Sequence, residues 1–172
     1  MMMKMNRKLL GAVALFAMFS AFEANAQSNL NVTATVLEGC VIDSPAIINM
    51  PFGSLDPATV ADTVVTADFD FHCTAGTTVD VELGTGNNAP PATYLANRVM
   101  AGAGTNTLAY RLETTGGLDW GTLADTASVA MTAQGWSIVD TATIQGRITQ
   151  LNVQAAAADT TYFDTVLITL TL

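Results

Sequence analysis

The final eight residues of the sequence place the strongest constraint on the fold. Within residues 165–172, Val166, Ile168, Leu170 and Leu172 alternate with threonine or leucine. A period of two is typical of a β-strand that has one buried face. An apolar strand of this kind needs a neighbour on each side, because an open edge pairs with other chains. We therefore predict that pairing of this strand is part of the function.

The N-terminal residues have the composition of a secretory signal peptide. Lys4, Arg7 and Lys8 form a basic region, an apolar run covers residues 9–19, and residues 24–26 read Ala-Asn-Ala, a typical cleavage site. The apolar run is shorter than the roughly 20 residues of a membrane-spanning helix. We predict cleavage after Ala26, export of residues 27–172, and no membrane insertion of the mature chain.

Removal of residues 1–26 leaves a strongly acidic chain. Its only cations are Arg98, Arg111 and Arg147, against 14 acidic residues, which gives a net charge of −11. Nucleic acid and anionic membrane surfaces would repel such a chain, so neither is a predicted ligand.

Two cysteines, Cys40 and Cys73, remain after cleavage. An even pair in an exported protein predicts a disulfide and not a metal or redox site. Closing a loop of this length stabilises the fold by roughly 3–4 kcal/mol in the chain-entropy model.

The mature sequence predicts one all-β sandwich domain. It is rich in Thr, Ala, Val and Gly, and short alternating segments are separated by turn residues. No helix is predicted, and residues 155–158 read as a linker. The predicted strands cover residues 30–36 with an extension to Cys40, 63–73, 78–83, 98–100, 108–112, 129–131, 143–149 and 165–172.

No catalytic constellation is present in the sequence. His72 is the only histidine, and no nucleophile elbow, P-loop or zinc motif occurs. We therefore predict neither an enzyme nor a cofactor. Asp68, Asp70 and His72 share one strand face, which is either a cation site or a solvated polar face. The second interpretation is favoured, because no convergent set of ligands is visible.

Two aromatic residues and two arginines each have two interpretations. Tyr110 and Trp120 are either a sugar-stacking platform or core residues whose polar tips are hydrogen-bonded, and the core role is favoured. Arg111 and Arg147 are either functional cations or members of ordinary ion pairs, and ion pairs are favoured among so many carboxylates.

A series of motifs, taken together in order and spacing, resembles spore coat protein U domains. Residues 52–57 and the spaced cysteine pair resemble the N-terminal half of those domains. Residues 108–112, followed by residues 120–121, resemble their tyrosine strand and tryptophan-glycine turn. Residues 145–148 resemble their glycine-arginine strand, and residues 162–166 resemble their closing strand. The resemblance covers essentially the whole mature chain.

That family includes subunits of archaic chaperone–usher pili of Gram-negative bacteria. The resemblance implies an immunoglobulin-like sandwich that lacks its last strand. A periplasmic chaperone fills the gap, and at the outer-membrane usher the N-terminal segment of the next subunit replaces it. The resemblance also implies a surface fibre that serves adhesion or biofilm formation, with neighbouring pilus subunits as partners.

The resemblance implies a donor segment and an acceptor groove. The donor segment covers residues 27–36, and several apolar side chains in the groove would contribute roughly 1.5–3 kcal/mol each. Head-to-tail contacts that do not close make fibres. The donor residues are Leu30, Val32, Ala34 and Val36. The groove residues are Tyr162, Val166, Ile168, Leu170 and Leu172.

Several alternatives stay open at this point. The chain could instead be a secreted carbohydrate-binding module, a fibre-tip adhesin, or a stand-alone spore or surface coat protein. The boundary between donor segment and first strand is also open, as is whether the N-terminal segment is long enough to donate.

Overall fold

The computed structural model describes residues 29–88, 95, 98–159 and 161–172. The predicted signal peptide, residues 1–26, lies outside this part of the chain. The chain divides into two units, Met1–Thr35 and Val36–Leu172. In the first unit, the described residues 29–35 have no regular secondary structure. The second unit contains every strand and helix described below.

Alternating segments of the second unit form two antiparallel sheets. The larger sheet has the order β1-β2-β7-β5-β4, and the smaller sheet has the order β6-β3-β8. The strands are β1 Cys40–Ile42, β2 Thr63–Cys73, β3 Thr78–Leu83, β4 Arg98–Ala101, β5 Thr107–Glu113, β6 Val129–Thr132, β7 Asp140–Ile148 and β8 Ile168–Thr171.

The period-two pattern decides which side chains enter the core. In β2, Phe69, Phe71 and Cys73 are buried, whereas the polar residues between them face outward. In β3, Val79, Val81 and Leu83 are buried in the same way. Residues from both sheets join one hydrophobic cluster. The fold is therefore an all-β, immunoglobulin-like sandwich, which confirms the predicted class.

The predicted disulfide joins the first two strands. Cys40 and Cys73 are directly opposite each other in the β1–β2 register, and their sulfurs are bonded. Cys73 is fully buried, so the bond fixes the short edge strand β1 to β2 on the buried side of the larger sheet. Among the residues that the structure describes there is no free cysteine.

The prediction of a first strand over residues 30–40 is wrong. Residues 29–39 are not in a strand, and β1 covers only Cys40–Ile42. Alternation alone does not make a strand, because the backbone N–H and C=O groups need a neighbouring strand to bond to.

The prediction that no helix forms is also wrong. A short helix, α1, covers Gln150–Ala155, and a 3₁₀ turn covers Leu123–Asp125. In α1 the Thr149 hydroxyl accepts the Asn152 N–H at 3.2 Å, and Val153 is buried. Capping and packing thus stabilise a helix that is too short to form alone. No helix in the described residues is long and apolar enough to cross a membrane.

Candidate strand-addition site

The outer edge of β8 is the main candidate site. β8 pairs with β3 through residues 168–171, and β3 pairs on its other side with β6. Within the described part of the chain, no strand pairs with the second edge of β8. A strand added there would extend the smaller sheet from three strands to four, with new hydrogen bonds to the β8 backbone.

The inner face of the closing segment is only half covered. Val166, Ile168 and Leu170 pack against the core but are only partly buried. The inward-facing residues of the neighbouring strand β3 are fully buried. Leu172 lies beyond β8 and is 59% exposed, and Tyr162 is partly buried. Four of the five predicted groove residues therefore pack on the core, and Leu172 does not. An apolar strand on the open edge would cover the remaining surface.

A carboxylate fixes the closing segment to the rest of the sandwich. Asp164 accepts hydrogen bonds from the Tyr110 hydroxyl at 2.7 Å, the Asn87 N–H at 2.9 Å and the Asn88 side chain at 3.0 Å. Phe163 exchanges two backbone hydrogen bonds with Ala101, at the end of β4. The segment is thus held to the larger sheet before it enters the smaller one.

Tyr110 and Gly86 fit closely around this carboxylate. Burial, and then the bond to Asp164, raises the pKa of the Tyr110 hydroxyl far above its ordinary value, so Tyr110 is a neutral donor. Gly86 has a φ of +85°, and a Cβ there would overlap the Asp164 carboxylate. Only glycine adopts this positive φ without strain and also leaves room for the carboxylate.

A buried arginine, which the sequence reasoning missed, holds the end of β3. Arg98 is fully buried, and its guanidinium donates to the carbonyls of Leu83, Gly84 and Trp120 at 2.9–3.0 Å. The Trp120 indole donates to the Val81 carbonyl at 2.8 Å. These bonds anchor the strand on which β8 depends. One feature of the sequence could have indicated this role. Arg98 lies in a short predicted strand and is one of only three cations in the mature chain.

The segment before β2 lies irregularly over the larger sheet. Residues 45–55 make no backbone–backbone hydrogen bond to the described residues, although Ile48, Met50 and Phe52 pack partly buried on the core. Met50 and Phe52 lie over Gly146 of β7, where a Cβ would sit 2.8 Å from the Phe52 ring and overlap the Met50 sulfur. Gly146 therefore allows this close approach.

A cavity of about 550 Å³ opens beside this segment. It is lined on one side by Met50 and Phe52, and on the other by Met100, Ile148 and Tyr162. The core residues Leu108 and Val153 also line it, so the core is incompletely covered here as well as along β8.

The predicted donor residues lie in exposed, irregular chain. Leu30, Val32 and Val36 are 87%, 81% and 80% exposed, and Ala34 is also exposed. Large apolar side chains at such exposure have no intramolecular packing role.

The polar residues considered as other sites have structural partners. His72 Nδ1 lies 2.5 Å from Asp43 Oδ2, and Asp68 and Asp70 accept from threonine hydroxyls of β7 at 2.7 Å. No group of residues suited to a metal ion occurs in the described ranges.

Trp120 is 2% exposed and Tyr110 is 5% exposed, so neither offers a stacking face for a sugar. Their burial and the bonds made by their polar tips confirm the core interpretation. Arg111 pairs with Asp119 and Arg147 pairs with Glu113, which confirms the ion-pair interpretation.

Comparisons with known proteins identify relatives of this sandwich. The family model of the Spore Coat Protein U domain matches residues 26–169. A similar solved structure is the chaperone–tip adhesion subunit pre-assembly complex CsuC–CsuE from archaic chaperone–usher Csu pili of Acinetobacter baumannii. It matches with 20% identity and a TM-score of 0.53, over 80% of this chain and 40% of that chain. At this identity the likeness shows the fold alone. A comparison with curated proteins found no match.

We expect Gly86→Ala to destabilise the fold more than Gly104→Ala. Both glycines have positive φ, but a Cβ at Gly104 meets nothing within 4 Å. Gly104→Ala should cost about 1 kcal/mol for the backbone alone. Gly86→Ala should cost about 1–3 kcal/mol more, because Asp164 must move away from its donors. Urea unfolding measures both values, and equal losses would show that Asp164 does not hold the segment.

We also expect the attachment of β8 to weaken at acid pH. Glu82 of β3 accepts from the Thr171 hydroxyl of β8 and from the Leu123 N–H, and these bonds lower its pKa below the ordinary 4.5. The ionised Glu82 carboxylate therefore contributes to folding stability above pH 4.5. This contribution is lost as the pH falls through the lower pKa that Glu82 has in the folded state.

The free energy of unfolding, measured as the pH is lowered below 4.5, tests the contribution of Glu82. Glu82→Gln should show a weaker loss of stability below pH 4.5 than the unchanged chain. Parallel curves for the two proteins would contradict the assignment.

Proposed function

Because the chain belongs to the Spore Coat Protein U domain family, we propose that it is a structural subunit of an extracellular fibre of the archaic chaperone–usher type. The observation that carries this proposal is the open edge of β8 above a half-covered apolar face. Such an edge is suited to β-strand addition, in which main-chain bonds give affinity and alternating side chains give specificity.

The N-terminal segment of a neighbouring subunit is the proposed added strand. Leu30, Val32, Ala34 and Val36 alternate with polar residues and stand exposed in the free chain. Inserted beside β8, these side chains would meet the surface that Val166, Ile168 and Leu170 leave partly open. Each subunit would donate at one end and accept at the other, so the contacts would continue into a fibre.

The route to the fibre is also proposed. The signal peptide would direct export and be removed after Ala26, and the Cys40–Cys73 bond would form in the oxidising periplasm. A periplasmic chaperone would cover the β8 edge until the outer-membrane usher exchanges it for the next subunit. The fibre would stand on the surface of a Gram-negative cell and serve adhesion or biofilm formation, without enzymatic activity.

Paired charge substitutions in the donor segment test strand exchange. The variant Leu30→Asp/Val32→Asp places two carboxylates on the proposed inserted face. The control Asn31→Asp/Thr33→Asp adds the same charge on the opposite face. The readout is the amount of polymer that survives in detergent without boiling, formed by the purified mature chain without chaperone.

We expect the first variant to reduce this polymer by at least about tenfold, because unpaired carboxylates are costly to bury. The control should polymerise close to the level of the unchanged chain. Equal reduction by both variants, or a mature chain that stays a soluble monomer, would contradict the proposed function.

A further inference from the structure

Methionine sulfurs are oxidisable groups of the mature chain that the proposed function does not use. Residues 27–172 contain three methionines, Met50, Met100 and Met131. Both cysteines of the chain are already joined in the disulfide. Peroxides convert a thioether into a sulfoxide, which is polar where the thioether was apolar. A methionine that an oxidant can reach, and whose apolar packing matters, is therefore a candidate modification site.

Met50 lies between a cavity and the core of the sandwich. Its side chain is partly buried and lines the cavity of about 550 Å³ beside residues 45–55. On the other side, the Met50 sulfur approaches Gly146 of β7 so closely that a Cβ there would overlap it. An oxidant that enters the cavity therefore reaches a side chain that also covers the larger sheet.

The backbone that carries Met50 has little to hold it in place. Residues 45–55 make no backbone–backbone hydrogen bond to the described residues. Pro51, which follows Met50, has no N–H to donate. The segment packs on the core through the apolar side chains of Ile48, Met50 and Phe52. Segments held in this way open at a low cost in free energy, so the Met50 sulfur meets solvent more often than a sulfur in a paired strand.

The other two methionines lie in hydrogen-bonded strands and serve as internal controls. Met100 of β4 pairs with Leu108 of β5, and Met131 of β6 pairs with Val79 of β3. Met100 lines the same cavity as Met50, whereas Met131 does not. All three methionines are partly buried, so a difference in their reactivity reports on backbone support and on access through the cavity.

We propose that Met50 is a site of oxidation by peroxides and that its sulfoxide releases residues 45–55 from the larger sheet. The oxidant, hydrogen peroxide, transfers one oxygen atom to the Met50 sulfur. An S–O bond forms, the O–O bond breaks, the sulfur loses two electrons, and the peroxide leaves as water. The site goes beyond the proposed function and does not depend on strand exchange.

The sulfoxide changes what holds the segment in place. Over Gly146 and the Phe52 ring, the sulfoxide oxygen would give up its hydrogen bonds to water, which is costly for a buried polar group. The segment therefore moves away from β7, and Phe52 becomes exposed with it. Because methionine sulfoxide is reduced by specific reductases, the release is reversible.

Treatment of the mature variant Leu30→Asp/Val32→Asp with hydrogen peroxide tests the preference for Met50. This background is used so that assembly does not cover the sulfur. A protease that cleaves before aspartate places the three methionines on separate peptides, residues 43–55, 80–118 and 125–139. Mass spectrometry of these peptides then gives the oxidation rate of each methionine.

We expect Met50 to react at least about tenfold faster than Met131, because its backbone opens more easily. Met100 shares the cavity but lies in a strand, so it should also react more slowly than Met50. A rate at Met50 that is no higher than the rate at Met100 or Met131 would overturn the proposal.

Chymotrypsin tests the release of the segment, because it cleaves after aromatic residues such as Phe52. Cleavage after Phe52 should be at least about threefold faster in the oxidised chain, since proteolysis follows the population of the open form. Met50→Leu in the same background is the control, because leucine keeps the apolar packing and cannot form a sulfoxide. Methionine sulfoxide reductase should restore the slow cleavage of the oxidised chain without any substitution.

Two results of the chymotrypsin experiment would overturn the proposal. One is oxidation of Met50 with no change in cleavage after Phe52, and the other is an equal increase in the Met50→Leu control. Both measurements are made on chains that do not assemble, so a failure of strand exchange would not alter their outcome.

Discussion

The structure depends on β3, because the smaller sheet has only three strands and β3 is its centre. Arg98 holds the carbonyl end of β3, and the Trp120 indole holds its middle. β8 in turn depends on β3 for its only strand partner among the described residues. Buried donors thus satisfy the backbone carbonyls of β3 and fix its position in the narrow sheet. A sheet fixed in this way, with an edge that no described strand covers, is suited to receive an added strand.

The same arrangement holds the closing segment in place although no described strand pairs with the second edge of β8. Asp164 ties the closing segment to Tyr110 and to the loop at Asn87, and a disulfide ties β1 to β2. These contacts position the β8 edge, while Val166, Ile168 and Leu170 remain only partly buried. Under the proposed function, that remaining surface would provide the free energy of assembly, and the exposed donor segment of the next subunit would cover it.

Much of the fold was predictable, because most strands bury one face and so alternate strictly. The bounds of β2 and β3 agree with the predicted segments, and β4 to β8 lie at or near theirs. The first strand was overextended, since alternation does not reveal whether a partner strand exists. Helix α1 was missed because capping by Thr149 and packing of Val153 stabilise it, and not its intrinsic propensity. The role of Arg98 was missed because its partners are backbone carbonyls distant in the chain, which the sequence does not identify.

The central claim is that the β8 edge receives a strand from another copy of the chain. Hydrogen exchange at the backbone amides of residues 168–172 tests it most directly, with the assembled polymer compared with the donor-defective monomer. An added strand bonds to amides on the free edge, so those amides should exchange more slowly in the polymer, while amides of β2 should be unchanged. Equal exchange rates at residues 168–172 in the two samples would contradict the claim.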